Sequence, residues 1–130
     1  MTLEELNRHL ALVEEIAKVE ELLRSLREAA FPGSGGLSGM PHAPGVKDKV
    51  GDLAAEIADL EAQLVLLRRE AADGEAEITE WISAIGDAQT RLLFRIRFLR
   101  GMPWKEVAGI IGGRNTEDSV RMICYRYLDG

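Results

Sequence analysis

The sequence predicts an all-α protein: a long antiparallel helical hairpin, coiled-coil-like in spacing, followed by a C-terminal module of three short helices. Three observations predict it. Residues 2–30 are dominated by Leu, Glu, Ala and Arg, with neither glycine nor proline, a strongly helix-forming composition. From Val46 to Ile85 the apolar residues alternate four- and three-residue steps. After Gly86 the pattern breaks into three short apolar segments separated by glycine-containing turns.

In the first segment Leu3, Leu6, Leu10 and Val13 form one apolar row, and Leu12, Ile16, Val19, Leu23 and Leu26 form an overlapping one. The combined stripe is wider than a strict two-position seam, so this helix should meet more than one neighbour. Thr2 and Glu5 have the spacing of a capping box. Residues 31–45 hold five glycines and three prolines, a density of breakers that predicts a connection rather than a helix.

The second segment reads Val46, Val50, Leu53, Ile57, Leu60, Leu64, Leu67, Ala71, Gly74, Ile78, Trp81 and Ile85. This is the period of a left-handed coiled-coil seam. The register holds through Gly74, so one continuous helix is expected despite the roughly 1 kcal/mol cost of an interior glycine. The first helix folds back to cover part of this seam, and a second copy of the chain is expected to cover the rest.

At Gly86-Asp87 the pattern stops, and Asp87 is placed to cap a helix beginning at Ala88. That helix carries Leu92, Leu93, Phe94, Ile96, Phe98 and Leu99, apolar on nearly every side, and ends at Gly101. A short helix is expected to start at Pro103. A turn at Gly112-Gly113-Arg114-Asn115 follows, and a last helix is capped by Thr116. On it Val120, Ile123, Cys124, Tyr127 and Leu128 form the inward face. Three short helices with a glycine turn between the last two have the layout of a helix-turn-helix module. The expected division is therefore 1–86, an acidic helical hairpin with its connection at 31–45, and 87–130, the tri-helical module.

Charge divides the chain at the same place. Residues 1–86 hold 8 Lys/Arg against 17 Asp/Glu, and residues 87–130 hold 8 against 5. The overall −6 thus conceals a basic end, which suggests a polyanionic partner there. One cysteine excludes an internal disulfide and a cysteine-rich zinc site. No stretch suits a membrane span and no signal-peptide pattern follows Met1, so the expected setting is cytoplasmic.

Arg91, Phe94, Arg97-Phe98, Gly101, Trp104-Lys105-Glu106-Val107-Ala108, Gly112 and Val120-Arg121 resemble the sigma-factor region 4 type of helix-turn-helix. The resemblance is closest to small phage and prophage late-gene activators of the ArpU/RinA kind. It covers mainly the C-terminal 40 residues, while the hairpin matches in layout. One departure is that the segment from Gly112 to Val120 is longer than in sigma factors. The resemblance implies a phage-type transcriptional regulator that binds duplex DNA in a bacterial host cell, with RNA polymerase as a further partner and a homodimer formed through the hairpin. Two other readings stay open: a protein–protein adaptor, and a phage DNA-packaging adaptor, in which the DNA-binding module usually comes first.

In a helix-turn-helix protein the exposed start of the last helix reads base edges. Its outward face offers Asp118, Arg121, Met122, Tyr125 and Arg126. Arg121 is the first choice for a base contact, because a guanidinium can bond guanine O6 and N7 together. Arg114, Asn115 and Thr116 stand where phosphate contacts form at a helix start, with Lys105, Arg97 and Arg126 as further phosphate contacts. Glu117 and Asp118 suit the helix dipole but would repel a DNA backbone. His9 and His42 have no metal-pair spacing, and Cys124 reads as a small core residue. Trp104 and Trp81 read as packing. Nothing assembles an active site, so no enzyme activity, metal or cofactor is expected.

Overall fold

The computed structural model describes residues 1–31 and 44–130. The Gly/Pro-rich connection from residue 32 onward, His42 and the Val46 side chain lie outside the described residues. The chain is all-helical, with no strand among those residues. Among the described residues five α-helices follow in order: α1 (Leu3–Ala30), α2 (Pro44–Ser83), α3 (Ala88–Phe94), α4 (Trp104–Ile111) and α5 (Glu117–Asp129). Between α3 and α4 a π-helical segment, Arg95–Leu99, continues α3.

The start of α1 is closed as its spacing predicts. The Thr2 N–H donates to Glu5 Oε2 (3.3 Å) and the Glu5 N–H donates to Thr2 Oγ1 (3.2 Å). Helix α2 begins at Pro44, one residue before the end of the expected 31–45 connection, because a proline needs no N–H partner in a first helical turn. It runs unbroken through Gly74 for 40 residues.

Two compact units divide the chain. The first comprises Met1–Glu14 and Glu70–Gly130, the second Glu15–Arg69. The expected boundary at residue 86 is crossed by the core of the first unit. That core joins Leu6 and Leu10 of α1 and Ile78 and Ile82 of α2 to Leu93, Phe94, Phe98, Val107, Val120 and Cys124. A fully buried Leu, Ile or Phe contributes about 1.5–3 kcal/mol, so three short helices gain much of their stability from apolar partners upstream.

Aromatic rings link these elements. Phe94 meets Trp81 edge-on at 5.0 Å, Tyr127 at 5.5 Å and Phe98 at 5.8 Å, and Phe98 meets Trp104 at 6.2 Å. Such edge and offset contacts suit the ring quadrupoles. Trp81 and Trp104 are therefore packing residues, as their positions predict. Cys124 is fully buried, and burial pushes its thiol up to about 12, which makes it an inert core residue.

Within the second unit Val19, Leu23 and Ala30 of α1 pack with Ile57 and Leu64 of α2, and Ile16, Leu26, Leu53, Leu60 and Leu67 flank them. Arg27 bonds Glu61 at 2.7 Å and Arg68 bonds Glu20 at 3.3 Å along one edge. Those pairs are exposed, so each adds little to stability. Arg24 pairs with both Glu21 and Glu28 and holds the Glu21 carboxyl below the usual carboxylate range.

Three side-chain placements differ from expectation. Leu92 is 41% exposed although its helix was expected to be buried on nearly every side. Tyr127, expected in the core, keeps an exposed edge while its ring contacts Trp81 and Phe94. Tyr125, expected to face outward, is partly buried against the core. On α5 the fully buried residues are Val120 and Cys124, one helical turn apart. The two tyrosines flank that line and lie at its edges, partly packed against the core and partly exposed.

Candidate nucleic-acid interface

The basic segment is built from α3, α4, α5 and their caps. Asp87 caps α3: its carboxylate accepts from the Thr90 N–H at 2.9 Å and from the Thr90 hydroxyl at 2.7 Å. These bonds hold the carboxyl below its ordinary range. Gly101 adopts φ 71° after the π segment, the left-handed conformation in which a side chain is disfavoured. Pro103, expected as the first residue of α4, instead precedes it with an extended ψ of 149°, because a proline fixes φ but leaves ψ free to enter from outside the helix.

Helices α4 and α5 are joined by Gly112 and Gly113, at φ 75° and 66°. Two successive left-handed residues turn the chain sharply and suit only glycine without strain. Asn115 locks the turn: its Nδ2 donates to the Gly112 carbonyl at 2.9 Å and its Oδ1 accepts from Ser119 Oγ at 3.2 Å. Thr116 caps α5 by accepting from the Ser119 N–H at 3.1 Å, while the Thr116 N–H donates to Ser119 Oγ at 2.8 Å. This is a reciprocal capping box with serine at its third position. The Thr-x-x-Ser spacing was its sequence signal.

The expected contact residues separate into two groups. Lys105, Arg114 and Arg126 are exposed, with no side-chain partner among the described residues. Asp118 and Met122 are also exposed. Asn115 and Thr116 are engaged in the turn and cap. Arg97 turns inward, between the buried Ile96 and Phe98. Its Nη1 donates to the Met102 carbonyl at 2.9 Å, its guanidinium lies 4.7 Å from the centre of the Trp104 ring, and its Nε is buried without a partner.

Arg121 is half-buried and paired twice on its own helix. Nη2 bonds Glu117 at 3.0 Å and Nη1 bonds Asp118 at 3.3 Å. Two exposed arginines not singled out in the sequence, Arg95 and Arg100, also have no side-chain partner among the described residues. Their charge was visible, but their exposure depends on how the π segment is wound. Arg91, by contrast, donates to the Ile85 carbonyl at 2.7 Å.

Chemically, α4, the turn and α5 carry exposed cations that have no side-chain partner among the described residues, a charge suited to an anionic surface. Among the described residues no group of three or more His, Cys, Asp or Glu is arranged to hold a metal ion. No helix among them is long and apolar enough to cross a membrane. Comparison with family models, curated proteins and solved structures returns no match.

Proposed function

We propose that the chain is a DNA-binding transcriptional regulator of phage type, in which α4, the glycine turn and α5 act as a helix-turn-helix on duplex DNA. The observation that carries this reading is the pair of left-handed glycines leading into a doubly capped α5, with Lys105, Arg114 and Arg126 exposed and, among the described residues, without a side-chain partner. Arg114, in the turn before α5, and Lys105, on α4, are assigned to phosphates, which fix register without reading sequence. Met122 and Arg126 on α5 are assigned to the major groove. An exposed methionine there can meet thymine methyl groups, and an arginine can bond guanine. Arg97, held on Trp104, is assigned to supporting α4 rather than to a phosphate.

Helices α1 and α2 are read as an antiparallel hairpin that carries this module and joins two copies. The α1 residue Leu22 and the α2 residues Val65 and Leu66 are exposed apolar side chains in keeping with that role. The resemblance to sigma region 4 and to ArpU/RinA-type activators supports the choice of regulator. A second reading, a docking module for RNA polymerase or another protein, draws on the exposed Ile110 and Met122 and on the two carboxylates beside Arg121.

Selection of bound duplexes from a random pool, at low and moderate salt, separates the two. Enrichment of a motif supports the regulator. Recovery of no duplex at either salt contradicts it and favours docking.

A further inference from the structure

We infer that Glu117 and Asp118 act as a selectivity clamp on Arg121, withholding its guanidinium from the anionic phosphates and releasing it only to an uncharged paired acceptor such as a guanine edge. This rests on the DNA-binding reading above and identifies what sets discrimination at that interface.

The geometry is specific. The two terminal nitrogens of Arg121 each meet a different carboxylate, at 3.0 Å and 3.3 Å, one and the same turn back on α5. The Arg121 side chain is 34% exposed, whereas Asp118 is 90% exposed. The Arg121 side chain is thus less accessible than the Asp118 carboxylate paired with it. Both carboxylates lie in the first turn, where the helix dipole stabilises their charge, and Thr116 caps that turn independently of them. Arg121 and its two partners together carry a net charge of −1, so this cluster repels phosphate although it contains an arginine.

Two kinds of DNA contact respond differently. A phosphate can bond a guanidinium through two oxygens, but it is an anion and must approach the exposed Asp118 carboxylate, which repels it, to reach Arg121. Guanine presents O6 and N7 together, a paired acceptor matched to the planar guanidinium. Exposed ion pairs are weak, so such an acceptor can displace them. On a non-cognate duplex Arg121 therefore stays clamped and contributes little. On a cognate duplex it leaves the clamp and reads a base.

The test uses the full chain, the duplex enriched from the random pool and a scrambled duplex of equal length and composition. Binding is measured by fluorescence anisotropy across a salt series. Arg121→Ala is expected to weaken enriched-duplex binding about tenfold or more, within the range for loss of a bidentate base contact, and to weaken scrambled-duplex binding far less. Glu117→Gln with Asp118→Asn is expected to strengthen scrambled-duplex binding by about tenfold. Its log K against log salt should steepen by about one, the signature of one added phosphate contact. Arg121→Lys, which keeps charge but not the planar fork, should lose affinity for the enriched duplex alone.

If the wild-type chain binds no duplex, the DNA reading falls and the clamp with it. If it binds but enriches no motif, or if Arg121→Ala weakens both duplexes equally, the clamp alone is overturned. An unchanged scrambled-duplex slope in the doubly neutralised variant also overturns it. Circular dichroism of each variant confirms that α5 remains helical in these comparisons.

Discussion

His9 of α1 occupies the space left open by Gly74 of α2: a β-carbon at position 74 would lie 2.9 Å from His9 Nδ1. The His9 residue is only 7% exposed, and its Nδ1 has no hydrogen-bond partner among the described residues. A glycine that weakens a long helix is thus the complement of a ring on its neighbour.

Gly74→Ala is expected to destabilise the protein by about 1 kcal/mol, because overpacking costs about 1–3 kcal/mol and outweighs the roughly 1 kcal/mol gained in helix propensity. In a His9→Ala background the same change should stabilise by about 1 kcal/mol, since only the propensity gain remains. Urea unfolding of the four proteins measures this, and equal effects of Gly74→Ala in both backgrounds would remove the steric account.

Acidification should act through the same ring. Burial lowers the His9 pKa, against a smaller opposing effect of the Glu75 carboxylate. The unfolded chain, with a histidine pKa near 6.5, therefore takes up the proton first. Stability contributed by neutral His9 is fully present above that value and is lost as pH falls through it. Between pH 7.5 and 5.5 the wild-type chain should lose more unfolding free energy than His9→Leu. Parallel losses would show that His9 titrates normally.

The Arg97 pairing with Trp104 leads to a different kind of expectation. Arg97→Lys keeps the charge but loses the planar stack and its fixed bond to the Met102 carbonyl, at a cost of about 1–2 kcal/mol. Thermal unfolding should show the loss, while the salt dependence of duplex binding by the folded variant stays as in wild type. A changed salt slope with unchanged stability would instead make Arg97 a phosphate contact.

The cap of α5 has a similarly local signature. Thr116→Ala should cost about 1 kcal/mol, and Thr116→Asn should retain most of the stability, because asparagine can accept the same N–H bond. Equal melting temperatures for all three proteins would mean the α5 terminus is frayed.

How much of this was legible follows from the distance over which each feature is decided. The α2 seam could be read because its period is local, and Leu53, Ile57, Leu60, Leu64, Ile78 and Trp81 are buried or partly buried as spaced. The caps at Thr2, Asp87 and Thr116 depend on three-residue spacings and were readable too. The role of Gly74 was not, because it requires knowing that His9 lies opposite. The π segment at Arg95–Leu99 left no sequence signal, so the inward turn of Arg97 and the exposure of Arg95 and Arg100 were hidden. Glu117, Asp118 and Arg121 stand at pairing distance along a helix, three and four residues apart. Their spacing permitted the ion pairs, although the dipole alone was enough to explain the acids.

The most direct test of the central claim, that α4, the turn and α5 bind duplex DNA through their exposed cations, is the salt dependence of binding for wild type and Lys105→Ala/Arg114→Ala. The account predicts a linear fall of log K with log salt, with a slope shallower by about two in the double variant. Absence of duplex binding at low salt, or the same slope in both proteins, contradicts it.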